Sequence, residues 1–266
     1  MQSSVATADA LLPPLKWAGG KRWQVPVLRT YWQAHSRRRL VEPFCGGLAV
    51  ALGLQPDRAQ LNDANPHLIN FYRCVKRGLS VSIEMRLDEA LYYRQRERFN
   101  ALVRSGNSQS RESAELFYYM NRTAYNGLCR FNSRGEFNSP FGQYKRINYA
   151  KDFLEYRDVF SKWDFSCGDF EETSLEKSDF LYADPPYDVD FTTYSKGGFS
   201  WNDQVRTAEW AARHKGPVIL VNQATKRITD LYEKLKFNIV YIDAPRRISC
   251  NGDRTPAREV IARRNV

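Results

Sequence analysis

Asp184-Pro185-Pro186-Tyr187 follows directly on the apolar run Phe180-Leu181-Tyr182-Ala183. These residue types suit one task. An exocyclic amine conjugated to an aromatic ring is a poor nucleophile, because its lone pair is delocalised into the ring. A carboxylate and a backbone carbonyl that each accept one N–H bond pull such a nitrogen toward tetrahedral geometry. They also aim its lone pair at an incoming methyl group. Asp184 supplies the first acceptor and the Pro185 carbonyl the second, while prolines at 185 and 186 fix φ and remove competing N–H donors. Tyr187 offers a flat face for stacking on a base. An Asp-Pro-Pro turn can also do no more than end a strand; the four residues together, behind an apolar strand, favour the chemical reading.

Two further groups have the character of a ligand site. Glu42-Pro43-Phe44-Cys45-Gly46-Gly47 follows the run Leu40-Val41, and glycines at a strand-to-helix turn let a ligand approach the backbone. Glycine-rich turns also occur for packing alone. Asn62-Asp63 ends the next run, where a carboxylate can accept hydrogen bonds from ribose hydroxyls. Asp63 and Asn65 would serve equally as helix caps before Pro66.

Elements able to position these groups alternate along the chain. Strands are expected at Leu40–Phe44, Ala59–Asp63, Phe165–Asp169, Phe180–Asp184, Val218–Asn222, Asn238–Ile242 and Glu259–Ala262. Helices are expected at Lys21–Gln33, Leu48–Leu54, Pro66–Arg77, Asn202–His214 and Thr225–Leu235. Such alternation indicates an α/β fold with a mostly parallel sheet covered on both faces. The last two strands, with little between them, suggest a hairpin at the sheet edge.

Residues 79–156 break the rhythm. Ile83, Leu87, Leu91, Phe99 and Val103 recur near helical spacing, Glu115–Asn121 reads as another helix, and Asn126-Gly127 and Arg134-Gly135 mark turns in a loop that can hold a small hairpin. This stretch reads as a helical insertion between second and third strands. Residues 1–10 read as a disordered lead-in.

Composition narrows the partners. A net charge of +10 suits a polyanion, although charge alone would equally serve solubility. Five scattered cysteines without a CxxC pair, and three histidines outside any ligand spacing, point to reduced thiols and to no metal site. No apolar run is long enough to span a bilayer. A cytoplasmic protein working as a monomer is expected.

Taken in order, several segments resemble the Dam family of DNA adenine-N6 methyltransferases. They are Pro14-Leu15-Lys16-Trp17-Ala18-Gly19-Gly20-Lys21, the Glu42–Gly47 and Asn62–Asn65 segments, and Asn121-Arg122-Thr123-Ala124-Tyr125-Asn126-Gly127-Leu128-Cys129-Arg130-Phe131-Asn132. Arg134–Asn138, Pro140-Phe141-Gly142 and the Asp184 tetrad complete the set. The likeness runs from about Leu15 to Ala262. It implies a Rossmann-like core with a seven-stranded sheet, in which 11–78 and 157–266 form the catalytic domain and 79–156 the target-recognition insertion. It further implies S-adenosylmethionine as cofactor, touched by Trp17 and Lys21, with Asp63 on its ribose and Asp184 at its methionine end and at the target base. Asp169-Phe170 is similar to the segment bordering the cofactor adenine. One departure stands out: Leu48 occupies the last glycine of the family's Phe-x-Gly-x-Gly turn, which implies altered packing and retained binding.

A base inside a duplex hides its reactive nitrogen, so this chemistry requires extrusion of the base. By the same resemblance Tyr125 and Asn126 are the intercalating pair, Leu128, Arg130 and Pro140 read bases, and Lys16 contacts the first guanine. The implied target is 5′-GATC in double-stranded DNA. Arg130 could also be a solvated or phosphate-binding residue. Arg94, Arg96, Arg98, Lys145, Arg146, Arg246 and Arg247 are further phosphate candidates. Asp188–Ser200, rich in small residues, is expected to order over the bound base. Cytosine-N4 or RNA adenine-N6 methylation, and a DNA-binding relative without activity, are the rival readings; cytosine-C5 chemistry lacks its Pro-Cys nucleophile.

Overall fold

The computed structural model describes residues 11–188, 198–245 and 257–266. In chain order its elements are α1 (Val25–Trp32), β1 (Leu40–Glu42), α2 (Ala49–Leu54), β2 (Ala59–Asp63), α3 (Pro66–Lys76), α4 (Glu89–Arg104) and α5 (Arg111–Thr123). They continue with α6 (Leu154–Ser161), β3 (Trp163–Cys167), β4 (Phe180–Ala183), α7 (Trp201–Arg213), β5 (Val218–Gln223), α8 (Lys226–Lys234), β6 (Asn238–Ala244) and β7 (Ala257–Arg264). The chain forms two compact units. One holds the chain up to Arg22, Gly46–Gln55 and Asn65–Phe165; the other holds Trp23–Cys45, Pro56–Ala64 and Ser166–Val266.

The second unit carries the sheet except for the first three residues of β3. β1, β4 and the first five residues of β5 are buried throughout, as strands covered on both faces must be. Strand order is β3-β2-β1-β4-β5-β7-β6. β1 pairs in parallel with both β2 and β4, and β4 with β5, whereas β7 runs antiparallel to its neighbours β5 and β6. The late hairpin therefore exists, with its second strand inserted inward of its first. Helix faces close the core. Gln204, Thr207, Ala208 and Ala211 line one side of α7, and Ile228 and Tyr232 lie one turn apart on α8. Ala208, Ala211, Ile228 and Tyr232 pack with Val41, Leu181, Val218 and Leu220. A reciprocal Ser200–Asp203 capping box starts α7.

The first unit is helical and aromatic. α5 packs on α3 and α4, and α6 packs on α3. Phe71 stacks on Tyr118 at 5.7 Å, with Phe153 edge-on to Phe71 at 5.3 Å. Asn65, Asp88 and Ser110 side chains cap α3, α4 and α5, satisfying N–H groups that the first turn leaves open. The buried Glu115 carboxylate accepts from the backbone and hydroxyl of Ser82 and from the Ile83 N–H, which fixes the entry into the insertion.

Some boundaries differ from expectation for local reasons. The helix expected from Lys21 starts as a 3-10 turn at Arg22–Gln24, and α1 follows with proline in its first turn. β3 lies two residues earlier than expected, because Asp169 caps a turn that ends the run. Ile83 and Leu87 precede α4, which begins only after the Asp88 cap. α6 was not expected; Tyr156 and Phe160 alone are buried on it, too few to show a period. Residues 1–10, Arg246, Arg247, Cys250 and positions 189–197 of the Asp188–Ser200 loop lie outside the described residues.

Candidate active site

Parallel register fixes what meets at the carboxyl edge of the sheet. Val41 on β1 pairs with Gln60 on one side and Leu181 on the other, so Asp63 and Asp184 each stand three positions beyond that common level. The chain leaves β1 for β2 on one flank and reaches β4 on the other, the switch point at which open α/β sheets take ligands. Asn62 braces this edge: its buried amide donates to the carbonyls of Pro43 (3.1 Å) and Gly168 (3.0 Å). Cys45, enclosed there, has its thiol pushed well up by burial, reinforced by the Asp63 and Glu42 charges, which disfavours the thiolate. Phe44 and Phe170 face each other at 5.4 Å, with Arg206 of α7 over the Phe170 ring and bonded to Asp169 (3.1 Å).

The tetrad is held on several sides. Pro185 is buried, and Asp184 and Tyr187 are half-buried. Gln204 of α7 donates to the Pro186 carbonyl (2.7 Å), and Asn222 of β5 both bonds Gln204 (2.9 Å) and accepts from the Asp188 N–H (3.2 Å). Asp188 is buried against Arg227 and Thr225. The Tyr187 hydroxyl donates to Glu259 on β7 at 2.6 Å. Burial first, then the charges of Asp184 and Glu259, push that phenol far above its ordinary value, so it stays protonated. Glu259, Gln204 and Asn222 went unread in the sequence. The one available signal was a charged or amide residue inside an otherwise apolar strand or helix face.

In the first unit, Trp17 lies on the glycine turn. A methyl group on Gly47 would come within 2.8 Å of Trp17 Cβ, and one on Gly46 within 3.0 Å of its indole nitrogen. The glycines therefore admit Trp17 itself, which refines the expectation that they admit a ligand. Lys21 is 6% exposed, and its ammonium donates to the Gly19 carbonyl at 2.9 Å. Leu48 adopts φ 62°, the left-handed conformation that suits the glycine it replaces, and its side chain is wholly buried.

The same unit gathers Lys16, Tyr125, Asn126, Leu128, Arg130 and Pro140. Asn121 grips the Lys16 backbone twice, accepting from its N–H (3.0 Å) and donating to its carbonyl (2.7 Å). Gly127, at φ 66°, leaves room for the Lys16 side chain, whose ammonium sits 4.1 Å above the Tyr144 ring. Burial and the Arg122 charge lower the Lys16 pKa. The loop backbone is tied at each step. Tyr125 N–H bonds the Pro140 carbonyl (2.9 Å), Arg130 N–H bonds Ser139 Oγ (3.1 Å), and that hydroxyl donates to the Leu128 carbonyl (2.6 Å). Beyond them Asn132 and Arg104 bond the buried Glu136, drawing its carboxyl below the usual range. Tyr125, 53% exposed, stands out with Asn126, Arg130 and Pro140 in solvent, while Leu128 is half-buried.

The chain matches, over residues 17–248, the family model described as D12 class N6 adenine-specific DNA methyltransferase. The retron Ec67 DNA adenine methylase of Escherichia coli is 35% identical over 262 residues, covering 93% of this chain and 90% of that relative. A DNA adenine methylase of Vibrio cholerae is 35% identical over 253 residues, 90% of each. The DNA N-6-adenine-methyltransferase of Escherichia phage P1 is 32% identical over 90% of this chain and 33% of its own length. With the doubly wound sheet and its Asp-Pro-Pro-Tyr edge, these likenesses make the chain a member of the D12 class of N6 adenine-specific DNA methyltransferases, an enzyme that methylates adenine in DNA.

Proposed function

We propose that the enzyme takes its methyl group from S-adenosylmethionine and places it on N6 of an adenine extruded from duplex DNA at 5′-GATC. The arrangement of Asp63 and Asp184 on either side of β1 at the switch point carries this reading. The donor set suits the cofactor: a carboxylate at a strand end fits ribose hydroxyls, and the paired Phe44 and Phe170 rings offer apolar faces to a purine. Trp17 and Lys21 are assigned to the same cofactor by family likeness. When bound, it supplies an electrophilic methyl on a sulfonium.

The protein's part is to prepare the nitrogen. Asp184 accepts one amine N–H, and the Pro185 carbonyl accepts the other; its neighbour, the Pro186 carbonyl, is already engaged by Gln204. Tyr187 stacks on the base. In this reading residues 79–156 read DNA, with Tyr125 and Asn126 entering the duplex. Lys16, Leu128, Arg130 and Pro140 read base edges, while 11–78 and 157–266 carry the chemistry in the cytoplasm. Arg130 is the residue type that most often reads guanine in the major groove.

Expression in a host lacking adenine methylation, followed by sequencing of its modified DNA, tests the proposal. N6-methyladenine confined to GATC is expected. Methylation at another motif would overturn the site.

A further inference from the structure

One buried carboxylate beside the tetrad has no part in the chemistry above. Glu259 is 7% exposed, on β7 opposite Gln223 of β5. A carboxylate out of water needs hydrogen-bond partners, and two of them converge on a single atom. Oε2 accepts from Gln24 Nε2 at 2.8 Å and from the Tyr187 hydroxyl at 2.6 Å. Gln24, fully buried, is fixed in turn by the Tyr182 hydroxyl on its Oε1 at 3.3 Å. The chain Tyr182–Gln24–Glu259–Tyr187 thus runs from the strand that ends in the tetrad back to the tetrad's last residue.

Tyr187 is therefore held at both ends. Its backbone lies between Pro186, whose carbonyl is bonded by Gln204, and Asp188, whose N–H is bonded by Asn222. Its hydroxyl is bonded by Glu259. The phenol oxygen lies on the axis about which the ring turns, so anchoring it fixes where that axis points, and the preference of a phenol O–H for the ring plane couples the bond to the ring's tilt. We propose that Glu259 is the positioning residue for Tyr187, fixing through Oε2 the place and direction of the ring that stacks on the extruded base. This rests on the reading of Tyr187 as the stacking platform. Glu259 itself touches no reacting atom.

The test uses the full-length enzyme on a duplex bearing the site that the wild type methylates. Single-turnover rate and DNA affinity are measured. With 2-aminopurine at the target position, emission also reports whether the extruded base is stacked. Glu259→Leu and Tyr187→Phe are each expected to slow methyl transfer roughly 10–100-fold and to raise 2-aminopurine emission, with DNA affinity changed by less than about threefold. Combining the two is expected to add less than about twofold, because both break one contact. Glu259→Gln keeps an oxygen able to accept both bonds and is expected to retain the rate within about threefold. If Glu259→Gln loses as much as Glu259→Leu, charge matters and position does not, and the proposal falls. Full additivity with Tyr187→Phe overturns it as well. Should Glu259→Leu not fold, Glu259→Ala takes its place in the same cycle with Tyr187→Phe, and additive losses there overturn the proposal. A Tyr187→Ala enzyme of undiminished rate would remove the stacking platform and its brace together. A crippled Tyr187→Ala enzyme alongside additive Glu259 losses would remove the brace alone.

Discussion

At the carboxyl edge of the sheet the tetrad is tied down through side chain and backbone alike, whereas in the loop of residues 121–142 of the helical unit the backbone is tied down and the outermost side chains stand in solvent. Tyr187 is bonded at its hydroxyl, and the residues around it bond one another through Gln204, Asn222 and Glu259. Tyr125, Asn126, Arg130 and Pro140 are exposed, while the main chain beneath them is held by Ser139 and by the Tyr125–Pro140 bond. The difference fits the tasks proposed for the two regions. A nitrogen must be presented to a methyl group along one line, so the groups around it are fixed in advance. A reading surface needs a fixed frame, with side chains that settle against base edges on contact.

The largest effect is expected at Asp184. Asp184→Ala is expected to lower single-turnover methylation by at least about 10³-fold, leaving DNA affinity near wild type in a binding titration. An equal loss of binding would erase the distinction between the regions. Next comes Gly127→Ala. At φ 66° a side chain is strained by roughly 1–2 kcal/mol, and its Cβ would meet Lys16 Cδ at 2.8 Å. Lower stability and weaker discrimination at one base pair are expected, read as a drop in melting temperature and in the kcat/KM ratio between matched and mismatched duplexes.

Ser139→Ala removes the hydroxyl that joins two turns of the loop. It is expected to cost about 1 kcal/mol of DNA affinity, evenly across sequences, in titrations at fixed salt. A change of sequence preference instead would make Ser139 a reader. The smallest effect concerns His67, which supports the loop through the Gly135 carbonyl (3.1 Å) and stacks on Phe131 at 4.8 Å. Burial lowers its pKa from the usual 6.5, so the folded chain takes up a proton less readily than the unfolded chain does. Its contribution is complete above pH 6.5 and declines as pH falls below that value. Melting temperatures of wild type and His67→Gln are expected to converge toward acid pH; parallel curves would contradict it.

Much of this was legible in the residues. Apolar runs closed by Glu42, Asp63 and Asp184 gave away the strands and which of their ends carries the candidate site, because parallel strands order their ends together. The inward position of β7 was not legible, since adjacency in sequence says nothing of insertion between strands. Glu259 was hidden because its partners Gln24 and Tyr187 lie 235 and 72 residues away. Asn121 stood inside a recognised segment, yet its grip on Lys16 spans 105 residues. Trp17 on Gly46 and Gly47 is likewise a long-range fit, and it gives those glycines a use that a local reading assigns to a ligand.

The division of labour meets its most direct test in the methylated-site profile of Arg130→Ala, expressed in a host lacking adenine methylation and read by sequencing modified bases. Adenine is expected to remain methylated, with the wild-type motif degenerate at one base pair, since one such readout supplies about 1–3 kcal/mol of discrimination. An unchanged motif with uniformly lower methylation would show that Arg130 holds phosphate and that the loop does not read through it.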